Sequence, residues 1–287
     1  MTRAARLEDR IAGAMGEPAA SLAPMSTGTA GDRLFRARLG DGRDAVIKAS
    51  MGGDHLGLEG RMLRLLAARS ALPVPEVLAS EPDLLIMSHI EAGGGLNPDG
   101  EIDAADAIAA LHAITEGQYG LDFDTVIGGL PQANGPMNDW PAFFAERRLI
   151  AMARQGLDAG RLETSMMARI ESLSENLGRW IGEPGPPSLL HGDLWGGNVL
   201  ARSGRLAGFI DPAVYLGDAE IELAFTTLFH TFSDAFYDRY AEHRPIRPGF
   251  FEERCALYNL YPLLVHVRLF GGSYLAQVDR TLTRFSF

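Results

Sequence analysis

Three polar residues in the second half of the chain have types and spacing that suit phosphoryl transfer. Asp193 lies in the segment LLHGDLWGGNVL (189–200), Asn198 follows five positions later, and Asp211 comes directly after the apolar run LAGFI (206–210). Mg²⁺ prefers oxygen ligands in octahedral geometry, which an amide and a carboxylate can supply. Asp193 would stay outside the metal shell, where it could orient a substrate hydroxyl and accept its proton. The pattern therefore predicts a base at Asp193 and Mg²⁺ ligands at Asn198 and Asp211.

The order of these residues is more informative than any one of them. Asp and Asn are common in turns, so each residue alone would be ordinary. HGD, four further residues, Asn, and then a strand-terminal IDP is the order used by protein-kinase-like enzymes. His191 opens the motif, and we expect it to brace the loop by hydrogen bonds rather than to take part in the reaction.

An upstream lysine and glutamate fit the same chemistry. Lys48 ends the second predicted strand, in VIK, and Glu59 lies in the predicted helix that follows. There Glu59 could pair with Lys48 and direct it at the phosphates of ATP. The alternative is a solvated lysine and a surface glutamate. The segment STGTAG (26–31) lies where a loop covering the phosphates is expected, but it does not match G-x-G-x-x-G and predicts little by itself.

The elements that would position these residues fall into two regions. Apolar alternation predicts strands at 33–39 and 45–49, and 84–90 reads as a short buried strand, while helical spacing predicts a helix at 57–69. After the glycines at 93–95, helices are predicted at 103–115, 139–155, 165–181 and from 218 onward. We predict an α+β, two-lobed fold, with a small β-rich nucleotide-binding lobe over 1–91 and a larger helical catalytic lobe over 92–287.

Composition excludes several other classes of protein. The chain has 287 residues, of which 46% are apolar, and a net charge of −11, which argues against a nucleic-acid partner. No apolar run approaches the ~18 residues of a membrane-spanning helix, and the charged amino terminus does not resemble a signal peptide. Cys255 is the only cysteine, so no internal disulfide can form. We expect a soluble cytoplasmic protein.

Two absences limit the substrate. Gly192 replaces the arginine that clamps a phosphorylated activation loop in protein kinases, and the stretch from Asp211 to Asp218 leaves no room for a peptide-binding segment. Asp218 and Glu220 follow the metal-binding strand closely, and Trp195 lies in the loop, so these three residues are candidate substrate contacts. The alternatives are helix-terminal acids and a core aromatic. An acidic pocket with an aromatic wall would suit a protonated amine that carries a polyol.

Longer segments resemble the fructosamine (ketosamine) kinases, a branch of the aminoglycoside-phosphotransferase-like enzymes within the protein-kinase-like superfamily. The motifs HGDLWGGN and IDP suggest the superfamily. The branch is suggested by Trp195 and by three longer segments: DPAVYLGDAEIEL (211–223), LYNLYPLLVHVRLFGGSYL (257–275) and YGLDFDTVIGGLPQANGPMNDWPAFFAERRL (119–149).

The resemblance implies ATP-dependent phosphorylation of a sugar hydroxyl on an amine-linked ketose, a first step in removing glycation. It places the family's functional residues at Asp193 (base), Asn198 and Asp211 (Mg²⁺ ligands), Lys48 (nucleotide) and Met87, Ser88, His89 and Ile90 (adenine-binding hinge). Two departures from the family pattern are Glu222, where Asp is usual, and an amino-terminal loop without the cysteine of some relatives.

Several functions remain open at this point. Fructose, ribulose and erythrulose adducts of lysine, free or protein-bound, are candidate substrates. An aminoglycoside or choline phosphotransferase of the same fold is the nearest alternative, since fold alone does not separate these enzymes. A nucleotide-binding pseudokinase scaffold is a third, which the presence of the complete residue set disfavours.

Overall fold

The computed structural model of the chain describes residues 3–25, 31–50 and 52–287. Most of the predicted phosphate-covering segment, residues 26–30, lies outside the described residues. None of the helices in the described residues is both long and apolar enough to cross a membrane.

The amino-terminal region is an antiparallel sheet with one helix on each face. The sheet has the order β1-β2-β3-β5-β4. Its elements are α1 (Arg3–Met15), β1 (Ser21–Pro24), β2 (Arg33–Arg38), β3 (Asp44–Ala49), α2 (Leu56–Arg69), β4 (Val77–Glu81) and β5 (Leu84–Ser88). The small β-rich region expected from the sequence is confirmed. The sequence did not predict the helix α1 or the edge strands β1 and β4. The strand β1 is mostly exposed and β4 is half-buried throughout, so neither shows a clear alternation of buried and exposed residues.

Alternation along the strands decides which side chains face each helix. The buried cluster on the α1 side contains Leu7, Ile11, Phe35, Ile47, Leu84 and Ile86. The cluster on the α2 side contains Leu56, Leu63, Leu85 and Met87. Because successive residues of a strand point to opposite faces, Lys48 lies on the face opposite to Ile47. Lys48 therefore faces α2, the helix that carries Glu59.

The rest of the chain is mainly helical. Its helices are α3 (Pro98–His112), α4 (Trp140–Phe143), α5 (Ala151–Asp158), α6 (Thr164–Ser174), α7 (Gly178–Ile181), α8 (Ala219–Leu228), α9 (Asp234–His243), α10 (Cys255–Tyr258), α11 (Leu260–Phe270) and α12 (Ser273–Arg284). Wide π-helical turns at Phe144–Ile150 and Phe250–Arg254 join α4 to α5 and lead into α10. The predicted helical region is confirmed.

Two predicted helices differ in their bounds. Helix α3 begins at Pro98 rather than 103, because Asn97 caps it by accepting from the N–H of Gly100 at 2.9 Å and proline suits the first helical turn. The single helix expected over 165–181 is broken into α6 and α7. Asn176 donates its side-chain amide to the carbonyl of Ser172 at 2.9 Å, a local bond that competes with continued helix.

Short two-stranded sheets hold the loops between the helices. They are formed by β6 (Thr125–Ile127) with β7 (Leu130–Gln132), β8 (Ser188–Leu190) with β11 (Tyr215–Gly217), and β9 (Val199–Arg202) with β10 (Arg205–Phe209). All three pairs are antiparallel. The chain from His191 to Asn198 thus begins directly after β8 and ends directly before β9, so both of its ends are fixed by strand pairing.

Candidate active site

Lys48 lies at the junction of the two regions and contacts carboxylates from both. Its Nζ is 2.7 Å from Oε1 of Glu59 on α2 and 2.5 Å from Oδ1 of Asp211, which follows β10. Burial works against the charge of Lys48, but the carboxylates of Glu59 and Asp211 raise its pKa above the usual value. The structure therefore brings together the lysine and glutamate that the sequence paired, and adds Asp211 as a second partner.

The hairpin of β9 and β10 sets Asn198 beside Asp211. Asn198 directly precedes β9, and its carbonyl accepts from the N–H of Ile210 at 3.1 Å. Asp211 has a backbone φ of +55°, a conformation that is uncommon outside glycine but better tolerated by Asp than by most residues. The two candidate metal ligands thus lie at the same end of one hairpin.

Asp193 lies in the same cavity as Asn198 and Asp211. Its Oδ2 accepts from Nδ2 of Asn198 at 3.0 Å, and the same amide nitrogen donates to the Asp193 carbonyl at 2.8 Å. Burial, and secondly the charge of Asp211, raise the pKa of Asp193 to about 8. A carboxylate with a raised pKa is a stronger base than an exposed aspartate.

Glu222 on α8 supports the loop that carries Asp193. Its carboxylate accepts the backbone N–H groups of His191 at 3.2 Å and Gly192 at 2.5 Å, and its Oε2 is 2.9 Å from Nε2 of His112. Glu222 therefore braces the loop although Asp is usual at this position in the family, and His112 in turn holds the Glu222 carboxylate.

His191 and Gly192 hold the backbone of the same loop against the segment that follows β10. Burial lowers the pKa of His191, and the neutral ring donates from Nε2 to the carbonyl of Ile210 at 3.1 Å, as the bracing role requires. Gly192 has a φ of +86°, and a Cβ there would lie 1.9 Å from the carbonyl oxygen of Ala213. Only glycine fits this position, which accounts for the absence of the protein-kinase arginine.

Asp193 lies on the wall of a cavity of about 400 Å³. The other lining residues fall into two groups by their contacts, a charged end and an aromatic end. One end is lined by Asp32, Lys48, His55, Glu59, Asn198 and Asp211. The other is lined by Trp195, Val126 to Gly129 of the β6–β7 hairpin, Phe229, Val265, His266, Leu269, Phe270 and Tyr274. Asp193 is bonded to both groups: its carboxylate accepts from the amide of Asn198, and its carbonyl accepts the backbone N–H of Trp195 at 3.2 Å.

The sequence predicts little of the aromatic end. Trp195 was the one aromatic singled out; its ring makes an edge contact with Phe229 at 5.8 Å between centroids. His266 lies against Phe229 and Tyr274, with centroids 5.0 and 4.8 Å away. The segment 257–275 was noted as family-like, but its helical spacing gave no sign of which face lines a cavity.

Asp218 and Glu220 are not on the wall of this cavity, which corrects the expectation of an acidic cluster beside the transfer site. Both side chains are buried. Arg247 lies 2.6 Å from Asp218 and 2.7 Å from Glu220, and Arg254 lies 2.6 Å from Glu220. Although burial opposes it, the bonds from Arg254 and Arg247 lower the pKa of Glu220. These acids hold the start of α8 to the segment before α10.

The four residues proposed as the hinge join the sheet to the helical region. Met87 and Ser88 end β5, and the N–H of His89 donates to the carbonyl of Asp44 at 3.1 Å. Ile90 packs on Gly208 of β10, where a Cβ would lie 2.7 Å from its Cδ1. In the described residues none of the four lines the cavity around Asp193. Their role in binding adenine stays a prediction.

Most of the chain is similar in sequence to proteins of a known family. A family model described as fructosamine kinase matches residues 54–286. A probable ketoamine kinase of Synechocystis sp. is 36% identical over 229 residues, which are 77% of this chain and 75% of the relative. A probable ketoamine kinase of Escherichia coli K12 is 35% identical over 242 residues, 79% of each chain.

Solved structures give the same result for the fold. A protein described as a fructosamine-3-kinase of Thermobifida fusca superposes with a TM-score of 0.86 at 32% identity, covering 97% of this chain and 98% of that one. An aminoglycoside phosphotransferase in complex with ADP and hygromycin B superposes with a TM-score of 0.63 at 21% identity, covering 98% and 96%, which shows a shared fold. The kinase-like fold predicted from the sequence is confirmed, and the chain belongs to the fructosamine kinase family.

Proposed function

We propose that this fructosamine kinase family member transfers the γ-phosphoryl group of ATP to a sugar hydroxyl of a ketosamine, with Asp193 as the base. The observation that carries this proposal is that Asp193 lines one cavity and is hydrogen-bonded both to Asn198 of the charged end and to Trp195 of the aromatic end. A phosphate donor and an apolar-faced, cationic acceptor need these two environments next to each other.

At the charged end, Lys48, Asn198 and Asp211 are proposed to hold the nucleotide and its metal. Two carboxylates, Glu59 and Asp211, contact the single ammonium of Lys48, so negative charge exceeds positive charge there, which suits a cation. No cluster of three or more His, Cys, Asp or Glu side chains in the described residues could hold a metal alone. This fits Mg²⁺, which is usually bound by one or two protein oxygens together with phosphates and water.

The amide of Asn198 is oriented for this role. Its nitrogen donates to Asp193, which leaves its oxygen as the metal ligand. When bound, Mg²⁺ would neutralise charge on the phosphates. Lys48, held by Glu59, would contact the α- and β-phosphates.

Asp193 would act on the acceptor. Its carboxylate would accept the proton of the attacking hydroxyl while the hydroxyl oxygen bonds to the γ-phosphorus, the bond to the β-phosphate oxygen breaks, and ADP leaves. The bond from Asn198 keeps the carboxylate in place before the acceptor binds.

The aromatic end would bind the ketosamine. Trp195, Phe229 and Tyr274 line the cavity and would contact the sugar and its protonated nitrogen, since a cation over an aromatic face is favoured by about 0.5–2 kcal/mol. The negative charge expected from Asp218 and Glu220 is supplied instead by Asp211, which lies on the cavity wall. An anionic acceptor such as a sugar phosphate would be repelled. We place the reaction in the cytoplasm, where ATP is available.

The test is a comparison of acceptors with ATP: fructosyl-, ribulosyl- and erythrulosyl-lysine beside kanamycin and choline. We expect turnover of at least one ketoamine, and turnover at least about a hundredfold slower by an Asp193→Asn preparation, which controls for contaminating kinases. Efficient use of kanamycin or choline with no ketoamine turned over would replace this proposal by the aminoglycoside or choline alternative. Nucleotide binding without transfer to any acceptor would instead favour the pseudokinase.

A further inference from the structure

A second ion pair lies on the cavity wall beside Lys48. Nε2 of His55 is 2.8 Å from Oδ2 of Asp32, and their side chains are 13% and 7% exposed. Both residues line the charged end of the cavity. The hydrogen bond to Asp32 raises the pKa of His55, which favours the imidazolium form.

The pair connects β2, the strand next to the one that carries Lys48, with α2, the helix that carries Glu59. Asp32 directly precedes β2, which pairs with β3 through Leu34 and Lys48. His55 directly precedes α2, and its carbonyl accepts the N–H of Glu59 at 3.0 Å. The pair is thus one helical turn from Glu59 and one strand from Lys48.

Asp32 is a potential competitor for Lys48. Its Oδ1 is buried and has no hydrogen-bond partner among the described residues. Burial opposes ionisation of Asp32, but His55 and, more weakly, the nearby charge of Lys48 lower its pKa. Without the imidazolium, Asp32 would be a buried carboxylate whose only cation on the described wall is Lys48. An uncompensated buried charge is costly, so the ammonium would be drawn toward it.

We propose that His55 is a positioning residue that neutralises Asp32 and so keeps Lys48 on Glu59 and Asp211. This inference rests on the nucleotide-binding role proposed for Lys48. On this basis His55 affects the binding of ATP, through Asp32, and does not affect the binding of the acceptor.

The test is a double-mutant cycle with steady-state kinetics. His55→Phe should raise the KM for ATP about tenfold, as expected for leaving a buried charge unpaired, while the KM for the ketoamine stays within about twofold. Asp32→Asn removes the competing charge, so Asp32→Asn alone and Asp32→Asn with His55→Phe should both stay within about threefold of the wild-type KM for ATP. The decisive result is that Asp32→Asn restores the KM for ATP in the His55→Phe variant. A histidine with a merely structural role would not give this rescue.

Matched controls separate the outcomes. His243 and Asp106 form another His–Asp pair, at 2.7 Å on the exposed surface away from the cavity, and His243→Phe should change neither KM. If His55→Phe does not fold, His55→Gln replaces it in the same cycle. A wild-type KM for ATP in the His55 variant, or a double variant as impaired as the single one, would overturn the proposal. Lys48→Ala is measured in parallel, and a wild-type KM for ATP in that variant would instead reject the nucleotide site itself.

Discussion

Two groups of acidic residues lie close together in the sequence but have opposite surroundings. Asp211 lies in the cavity with a side chain that is 35% exposed, and it shares the ammonium of Lys48 with Glu59. Glu220, nine positions later, has a side chain that is 6% exposed and lies between two guanidinium groups. The sequence alone predicts a functional role for both Asp211 and Glu220.

The difference is one of charge balance. Asp218 and Glu220 face Arg247 and Arg254, so two negative charges meet two positive ones and the cluster needs no further cation. Around Lys48 the carboxylates outnumber the ammonium. A balanced buried cluster is a structural device, whereas an excess of carboxylates on a cavity wall is a site for a cation from outside the chain.

The largest effect should come from replacing the proposed base, Asp193. Asp193→Asn should lower kcat by about 10²- to 10⁴-fold, the range for loss of a positioned base. Nucleotide affinity, measured by titration calorimetry, should stay near the wild-type value, because Asp193 is not a proposed metal ligand. Wild-type turnover in this variant would contradict the assignment of the base.

Substitutions in the balanced cluster of Asp218 and Glu220 should change the stability of the protein rather than its catalytic activity. Glu220→Gln leaves Arg254 without a charged partner and should lower the free energy of unfolding by about 3 kcal/mol, as for a broken buried ion pair. Urea denaturation measures this, with Glu252→Gln on the exposed surface as a control that should change stability by less than about 0.5 kcal/mol. The KM for the ketoamine should be unchanged in folded Glu220→Gln. A raised KM with unaltered stability would restore Glu220 as a substrate contact.

The same comparison predicts a pH dependence. The folded-state pKa of Glu220 is lowered, so its ion pairs stabilise the protein fully above the unfolded pKa of about 4.3 and are lost as pH falls through the lower folded value. The stability difference between wild type and Glu220→Gln should therefore be constant from neutral pH down to about 5.5 and shrink below about 4. A difference that grows on acidification would show that Glu220 is not held as the anion.

The candidate site was predicted where the chemistry is local in the sequence. Asp193, Asn198 and Asp211 lie within 19 positions on one loop and one hairpin, so their spacing already implied their proximity. Lys48 and Glu59 could be paired because a strand and the helix after it commonly pack together. Motif spacing was sufficient because few arrangements of a short segment are possible.

The arginines that bind Asp218 and Glu220, and so exclude these acids from the cavity wall, are distant from them in the chain. Arg247 and Arg254 lie 27 to 34 positions from the acids they bind, and no pattern near Asp218 or Glu220 announces them. The aromatic wall is also assembled from separate elements, the β6–β7 hairpin, the end of α8, and α11 with α12. Contacts of this kind depend on tertiary packing, which residue types alone do not reveal.

The smallest predicted effect extends the comparison from acids to tryptophans. Trp195 lines the cavity, whereas Trp180 packs on Phe285 and Phe287 at the carboxyl terminus. Trp195→Ala should raise the KM for the ketoamine about tenfold, equal to some 1.4 kcal/mol of lost ring contact, and leave the KM for ATP within about twofold. Trp180→Ala should lower the melting temperature without changing either KM. Because Trp195 lies across Gly197, where a Cβ would be 2.4 Å from its ring, Gly197→Ala should displace the indole and reproduce part of the same increase. Equal rises in both KM values for Trp195→Ala would mean that the ring supports the whole loop instead of the acceptor.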